Sequence, residues 1–495
     1  MATDAKLRRY RPPAGPRGIP GPGGGRESYL PHLREWRGTS VQVCGLWPFS
    51  GGAGSPMVGV PLGPHLITGS SVCFDPITWF RHGLISNPGV FVLGLPGLGK
   101  STFLRRLVLG LVGFGIRPLV LGDLKPDYAD LVAALGGQVV RLGRGLGTLN
   151  PLDTGALGQA ADRLAGPAAE RLRSEIHGRQ LNMVAALISI VRGPTRPVDA
   201  DENTVLSAAL RVLAARPSSG VPVLADLIKV LKAGPDEVRN VVLDRGDDKV
   251  YQQAVDPLHK SLIGLLDGSL GSVFAEQTST QIDLDAPAVC MDLSQIASSD
   301  LGLQAAALLS TWSAGFGAVA GAQALADNGL IQQRNYFVIM DELWRVLRAG
   351  AGLVDRVDAI TRLDRNEGYG KALCTHTLED LRALPTPEDR AKARGLAERC
   401  SVTVVGGLPP KEIEDLRGIV SFSEEEARHI VKWSDPAPWD NIEGKRAQPP
   451  GQGKFIIKAG QKPGIPFQVA LTKAELRLND TNRRWQMAAG GVFEE

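Results

Sequence analysis

The chain has 495 residues, 43% of them hydrophobic, and a formal net charge of +3. That length exceeds one compact core and allows about two to four structural units at roughly 150 residues each. The near balance of charge excludes reading a nucleic-acid partner from totals, because residues 1–40 hold eight Lys/Arg against three Asp/Glu and leave the remainder slightly acidic.

Residues 1–40 mix basic side chains with Pro and Gly (Arg11, Pro12, Pro13, Gly15, Pro16) and have little to bury, which predicts a disordered, solvated tail able to meet acidic lipid or a partner. No apolar stretch follows the first basic residues, so no secretory signal is expected. Residues 41–83 alternate short apolar pieces (Val41 to Val43, Met57 to Val60, His65 to Ile67) with Gly/Pro turns and predict a small β-rich lead-in. Residues 84–155 alternate in character: the apolar run Val90 to Leu93, a helix-compatible stretch from Thr102, a buried-type strand from Arg117 to Asp123, a helix near Tyr128 to Leu135, and a strand at Gln138 to Leu142. Strands alternating with helices predict a parallel α/β sheet.

Residues 156–283 change to long helical periodicity. Leu181, Val184, Leu187 and Val191 share one helix face, and Leu224, Leu227, Ile228 and Leu231 another, so an all-α insertion is expected. Strand character returns in residues 284–410, at Ala288 to Leu293, Tyr336 to Met340, Ala372 to Cys374 and Val402 to Val405, and these should rejoin the first sheet. The apolar window Leu303 to Ala324 carries Gln304, Ser310 and several glycines, which favours a buried helix over a membrane span. Residues 411–495 add two charged helices and a hairpin-like segment that complete the core. The five cysteines lack any C-x-x-C spacing and read as reduced residues of a cytosolic protein.

Chemistry concentrates at two places. Gly94-Leu95-Pro96-Gly97-Leu98-Gly99-Lys100-Ser101 is a complete G-x-x-x-x-G-K-[ST] loop between a strand and a helix that opens at Thr102. Glycines let successive backbone N–H groups close around phosphates, Lys100 adds a point charge, and Ser101 can place its hydroxyl on Mg²⁺. The second place is Tyr336 to Met340 followed by Asp341-Glu342. A strand that delivers an acid at its C-terminal end suits Asp341 to Mg²⁺ and Glu342 to polarising an attacking water. Arg365 is a candidate finger for transition-state charge, against the plainer reading of a helix-surface arginine with acidic partners. The guanine-reading N/T-K-x-D motif is missing, with Thr472-Lys473-Ala474-Glu475 its nearest approach, so ATP is the expected nucleotide.

Together these residues resemble the conjugation ATPases of type IV secretion systems, a branch of the HerA/FtsK superfamily, over roughly residues 59–485. The resemblance rests on the loop, on Asp123-Leu124-Lys125-Pro126-Asp127-Tyr128, on Leu149-Asn150-Pro151-Leu152-Asp153, on Asp341-Glu342-Leu343-Trp344, on the spacing of Arg365 from Gly368 and His376, and on the ending Asn479 to Trp485, similar to actinobacterial versions. It implies a RecA-like nucleotide core, ATP with Mg²⁺, and a homo-oligomeric, hexameric ring in which Arg365 reaches a neighbour's site. It also implies other secretion subunits as partners, DNA as a candidate cargo, no membrane span of the chain's own, and a cytoplasmic place at the inner face of the membrane. His376 would sense the γ-phosphate, although relatives usually carry Gln at that point, and their large N-terminal domain is mostly missing here. Two alternatives stay open: a DNA translocase or helicase of the same superfamily, and a low-turnover ATP-binding scaffold.

Overall fold

The computed structural model describes residues 56–478 apart from 194–195, 216–219, 350–352, 362–367, 383, 385, 438, 441–444 and 447. Its centre is a nine-stranded sheet in the order β13-β12-β9-β3-β8-β7-β4-β6-β5. In chain order these are β3 (Gly89–Leu93), β4 (Arg117–Asp123), β5 (Gln138–Arg141), β6 (Val289–Asp292), β7 (Tyr336–Met340), β8 (Tyr369–Cys374), β9 (Val402–Val405), β12 (Lys454–Ala459) and β13 (Ile465–Gln468). The seven strands from β9 to β5 pair in parallel, and β12 and β13 add antiparallel at one edge. This is the mainly parallel, RecA-like α/β core that the sequence predicts.

Strand composition explains the two-sided burial. Side chains of a strand alternate between faces, so Val90 and Val92 enter one core while Phe91 and Leu93 enter the other. All five residues of β3 and of β7 are buried, as expected of parallel strands covered by helices on both faces. Each such side chain contributes about 1.5–3 kcal/mol on burial.

Between β5 and β6 the regular elements are helices: Gly155–Arg163, Gly166–Arg192, Ala200–Ala215, Leu224–Ala233, Asp236–Val242, Asp248–Asp267 and Gly271–Phe274. The first packs Leu157, Ala160 and Ala161 into a small cluster with Ala320 and Leu325, and the apolar faces of the others share the cluster that holds Phe91 and Leu121, so they continue the core of the sheet. The helix Leu301–Asp327 is long and apolar enough to cross a membrane, yet 89% of its apolar window is buried inside the fold. It approaches β4 closely: a Cβ on Gly315 would meet Leu121 Cδ1 at 2.3 Å, and one on Gly321 would meet the Ala156 carbonyl oxygen at 2.9 Å.

The lead-in differs from its sequence pattern. Strands form at β1 (Pro61–Pro64) and β2 (Ser71–Cys73), and residues 65–69 turn instead of extending. His65 causes this, because its Nδ1 accepts the N–H groups of Ile67 and Thr68 and its backbone bridges to Phe467. A two-residue ladder pairs β10 (Trp439–Asp440) with β11 (Lys445–Arg446) before the C-terminal hairpin. Cys73, Cys290, Cys374 and Cys400 are buried, and none of the described cysteines is in a disulfide. Cys44, Val41 to Val43, the basic tail, Arg365 and Asn479 to Trp485 lie outside the described residues.

Candidate nucleotide site

The glycine loop leaves the C-terminal end of β3 and enters the helix Lys100–Gly113. Gly97 and Gly99 sit at φ of 80° and 99°, a region that side chains disfavour. Gly99 caps the helix without a side-chain bond, so the first N–H groups of the helix keep their capacity for an anion. Neighbouring strands pin the loop: Gly94 N donates to His376 O, Leu95 N to Gly407 O, and Gly453 N to Leu98 O at 2.9 Å. Leu98 is buried, anchoring the loop from inside.

Strand order sets the site. Strand β8 lies between β3, which carries the loop, and β7, which carries Asp341-Glu342. His376, just past the end of β8, therefore stands between the two motifs. Lys100 is folded back with its Nζ 2.6 Å from Gly94 O, 3.3 Å from Leu95 O and 2.9 Å from His376 Nδ1. On the other side of the ring, His376 Nε2 lies 3.5 Å from Glu342 Oε2. Burial lowers the ammonium pKa of Lys100, opposed by Cys374, Asp341 and Glu342.

Glu342 is buried and sits at φ of 53°, a strained conformation for a non-glycine residue. Its carboxylate meets Lys125 Nζ at 3.1 Å, Trp344 Nε1 at 2.7 Å and Arg345 Nε at 3.6 Å. Burial alone would push this carboxyl up, but the hydrogen bond from His376 and the charge of Lys125 hold it well below the usual carboxylate range. Asp341 accepts from Tyr128 Oη at 3.2 Å and from its neighbour Glu342 N at 2.9 Å.

Ser101 lies in the first turn of the helix Lys100–Gly113, and the pKa of Asp127 is raised chiefly by burial, with the Asp341 charge adding to it. A hydroxyl and nearby carboxylates make an all-oxygen donor set, which suits Mg²⁺ shared with substrate phosphates and is too sparse to cage a metal alone. Among the described residues no cluster of three or more His, Cys, Asp or Glu could hold a metal by itself. Pro96 lies within the loop, and Thr102 follows it in the first turn of the helix. The structure thus gathers Gly94, Gly97, Gly99, Lys100, Ser101, Asp341, Glu342 and His376 around one crevice, whereas Arg365 is outside the described residues.

Sequence reasoning left two contacts unassigned. Lys125 and Tyr128 belong to a motif noticed for its likeness, but their partners Glu342 and Asp341 lie more than 200 positions away. Only the shared end of a parallel sheet brings them together.

No protein-family model and no curated protein matches the chain. Solved structures do. The chain superposes on VirB4 of Thermoanaerobacter pseudethanolicus with a TM-score of 0.61 and 16% identity, covering 86% of this chain and 100% of that one. The bacterial conjugative coupling protein TrwB aligns at a TM-score of 0.47 and 14% identity, over 78% of this chain and 85% of that one. The likeness to VirB4 shows a shared fold.

Proposed function

We propose that the chain is an ATP-hydrolysing motor of a conjugative or type IV secretion apparatus. The observation that carries the hydrolytic reading is the line Lys100–His376–Glu342, which joins the phosphate-binding ammonium to the water-polarising acid across one crevice. The secretion context is supported by the motif resemblance and by the fold shared with VirB4.

In this reading the N–H groups of the loop and of the first helical turn bind the phosphate tail, and Lys100 leaves the Gly94 and Leu95 carbonyls to meet the outer phosphates. Ser101 and Asp341 would hold Mg²⁺, which would supply charge neutralisation for the phosphate tail. Glu342 orients and polarises the attacking water, and its low pKa keeps it ionised for that task. His376 passes from Lys100 toward the terminal phosphate or the water. Arg365 of a neighbouring subunit in a ring adds the last positive charge. Because phosphoryl transfer is mostly positioning and electrostatics, each group should be costly to lose.

The test is the mass and the steady-state ATPase rate of the purified protein, with and without DNA. A ring that hydrolyses ATP and ignores DNA supports the secretion motor, strong stimulation by DNA favours a translocase, and a chain that binds ATP without turnover favours a scaffold.

A further inference from the structure

The turn after β4 touches both acidic members of the site, and nothing in the reading above uses it. Asp123 is 2% exposed and gathers the turn by accepting N–H bonds from Asp127 at 3.1 Å, Tyr128 at 2.8 Å and Ala129 at 3.2 Å. A carboxylate that takes three successive donors fixes the backbone between them. Two side chains that follow then point to the neighbouring strand end. Lys125 reaches Glu342 Oε1, and Tyr128 Oη reaches Asp341 Oδ2. Arg105, on the helix that follows the phosphate loop, holds the carbonyl of Asp127 from the far side and the Leu478 carbonyl with its other nitrogen.

We propose that this turn, residues 123–128, is a positioning element in which Tyr128 orients the Mg²⁺ ligand Asp341 while Lys125 orients the water-polarising Glu342, so that metal binding and water activation are aligned by one piece of backbone. The inference rests on the hydrolytic reading and deepens it. Geometry carries the argument. With Lys125 on Oε1 and Trp344 on Oε2, both oxygens of Glu342 are engaged and the plane of its carboxylate is set. Glu342 holds a strained backbone, and such a residue keeps its conformation only where its surroundings over-determine it. Lys125 is the exposed member of those surroundings, with 59% of its side chain accessible. Its partner Glu342 is buried, with 9% of its side chain accessible, so the contact fixes a carboxylate that water does not hold. Tyr128 is buried, and its Oη donates to Asp341 Oδ2 at 3.2 Å.

Steady-state kinetics and binding of a fluorescent ATP analogue over a Mg²⁺ series test the two halves separately. Lys125→Ala should lower kcat by about tenfold with KM within about twofold, and Lys125→Arg should recover most of the loss. Tyr128→Phe should raise the Mg²⁺ concentration needed for half-maximal analogue binding by roughly 10–100-fold and leave Mg²⁺-free binding unchanged. Lys125→Ala with wild-type kcat, or Tyr128→Phe with a wild-type Mg²⁺ midpoint, overturns the role of the turn while wild-type turnover leaves the hydrolytic reading standing. A wild-type protein that binds no nucleotide overturns both.

Discussion

Lys100 and Glu342 make no hydrogen bond to each other, yet a single imidazole joins them, with His376 Nδ1 2.9 Å from the ammonium and Nε2 3.5 Å from the carboxylate. An ammonium can only donate, so Nδ1 accepts and the ring proton sits on Nε2, facing Glu342. Lys100 must therefore give up a charge-assisted hydrogen bond before it can meet a phosphate.

That exchange predicts an effect of His376 on binding. A hydrogen bond to a charged group contributes about 1.5–3 kcal/mol, so His376→Ala should bind ATP at least about tenfold more tightly while turning over more slowly. Equilibrium titration beside steady-state kinetics checks this, and an affinity weaker than wild type would show that the contact does not restrain Lys100.

Asp123 gives a pH dependence with a definite sign. Burial raises its pKa to about 7 against N–H bonds from Tyr128 and Asp127, from an ordinary value of 3.8. The folded protein thus binds a proton that the unfolded chain releases, and stability falls as pH rises from about 4 to about 7, with no further change outside that window. Urea midpoints of the wild type should decline across this range more than those of Asp123→Asn. Parallel curves for the two proteins would contradict the assignment.

The helix Leu301–Asp327 packs through its glycines. Gly321 faces the Ala156 carbonyl oxygen, where a new Cβ would stand 2.9 Å away. Ala is the better helix former by about 1 kcal/mol, but here the backbone must shift, so Gly321→Ala should destabilise by about 1–3 kcal/mol in denaturant unfolding. A stabilised variant would mean that the two helices have room to separate.

Ring assembly makes Arg365 testable across subunits. Arg365→Ala and Lys100→Ala should each be inactive alone, while mixing them should restore part of the ATPase rate, because some interfaces then pair an intact loop with an intact arginine. Mixtures that stay inactive would place Arg365 outside the neighbour's site.

Most of the architecture was legible where local pattern and tertiary role agree. The strands Tyr336–Met340 and Val402–Val405 read as apolar runs because parallel strands are buried on both faces. The loop at 94–101 was legible because phosphate binding demands glycines and a lysine at fixed spacing. Less was visible where a single side chain redirects the backbone, as His65 does in the lead-in. The contacts of His376 and Lys125 were hidden for another reason. They depend on β8 lying between β3 and β7 and on β4 lying beside β7, and strand order is a property of the whole sheet.

The central claim is that Lys100 and Glu342 act on one bound nucleotide, the first in holding it and the second in cleaving it. ATP binding and single-turnover hydrolysis of Lys100→Ala and Glu342→Gln measure this directly. The account predicts that Lys100→Ala loses binding, whereas Glu342→Gln binds ATP but hydrolyses it at least about 100-fold more slowly. Hydrolysis at the wild-type rate in both variants would contradict it.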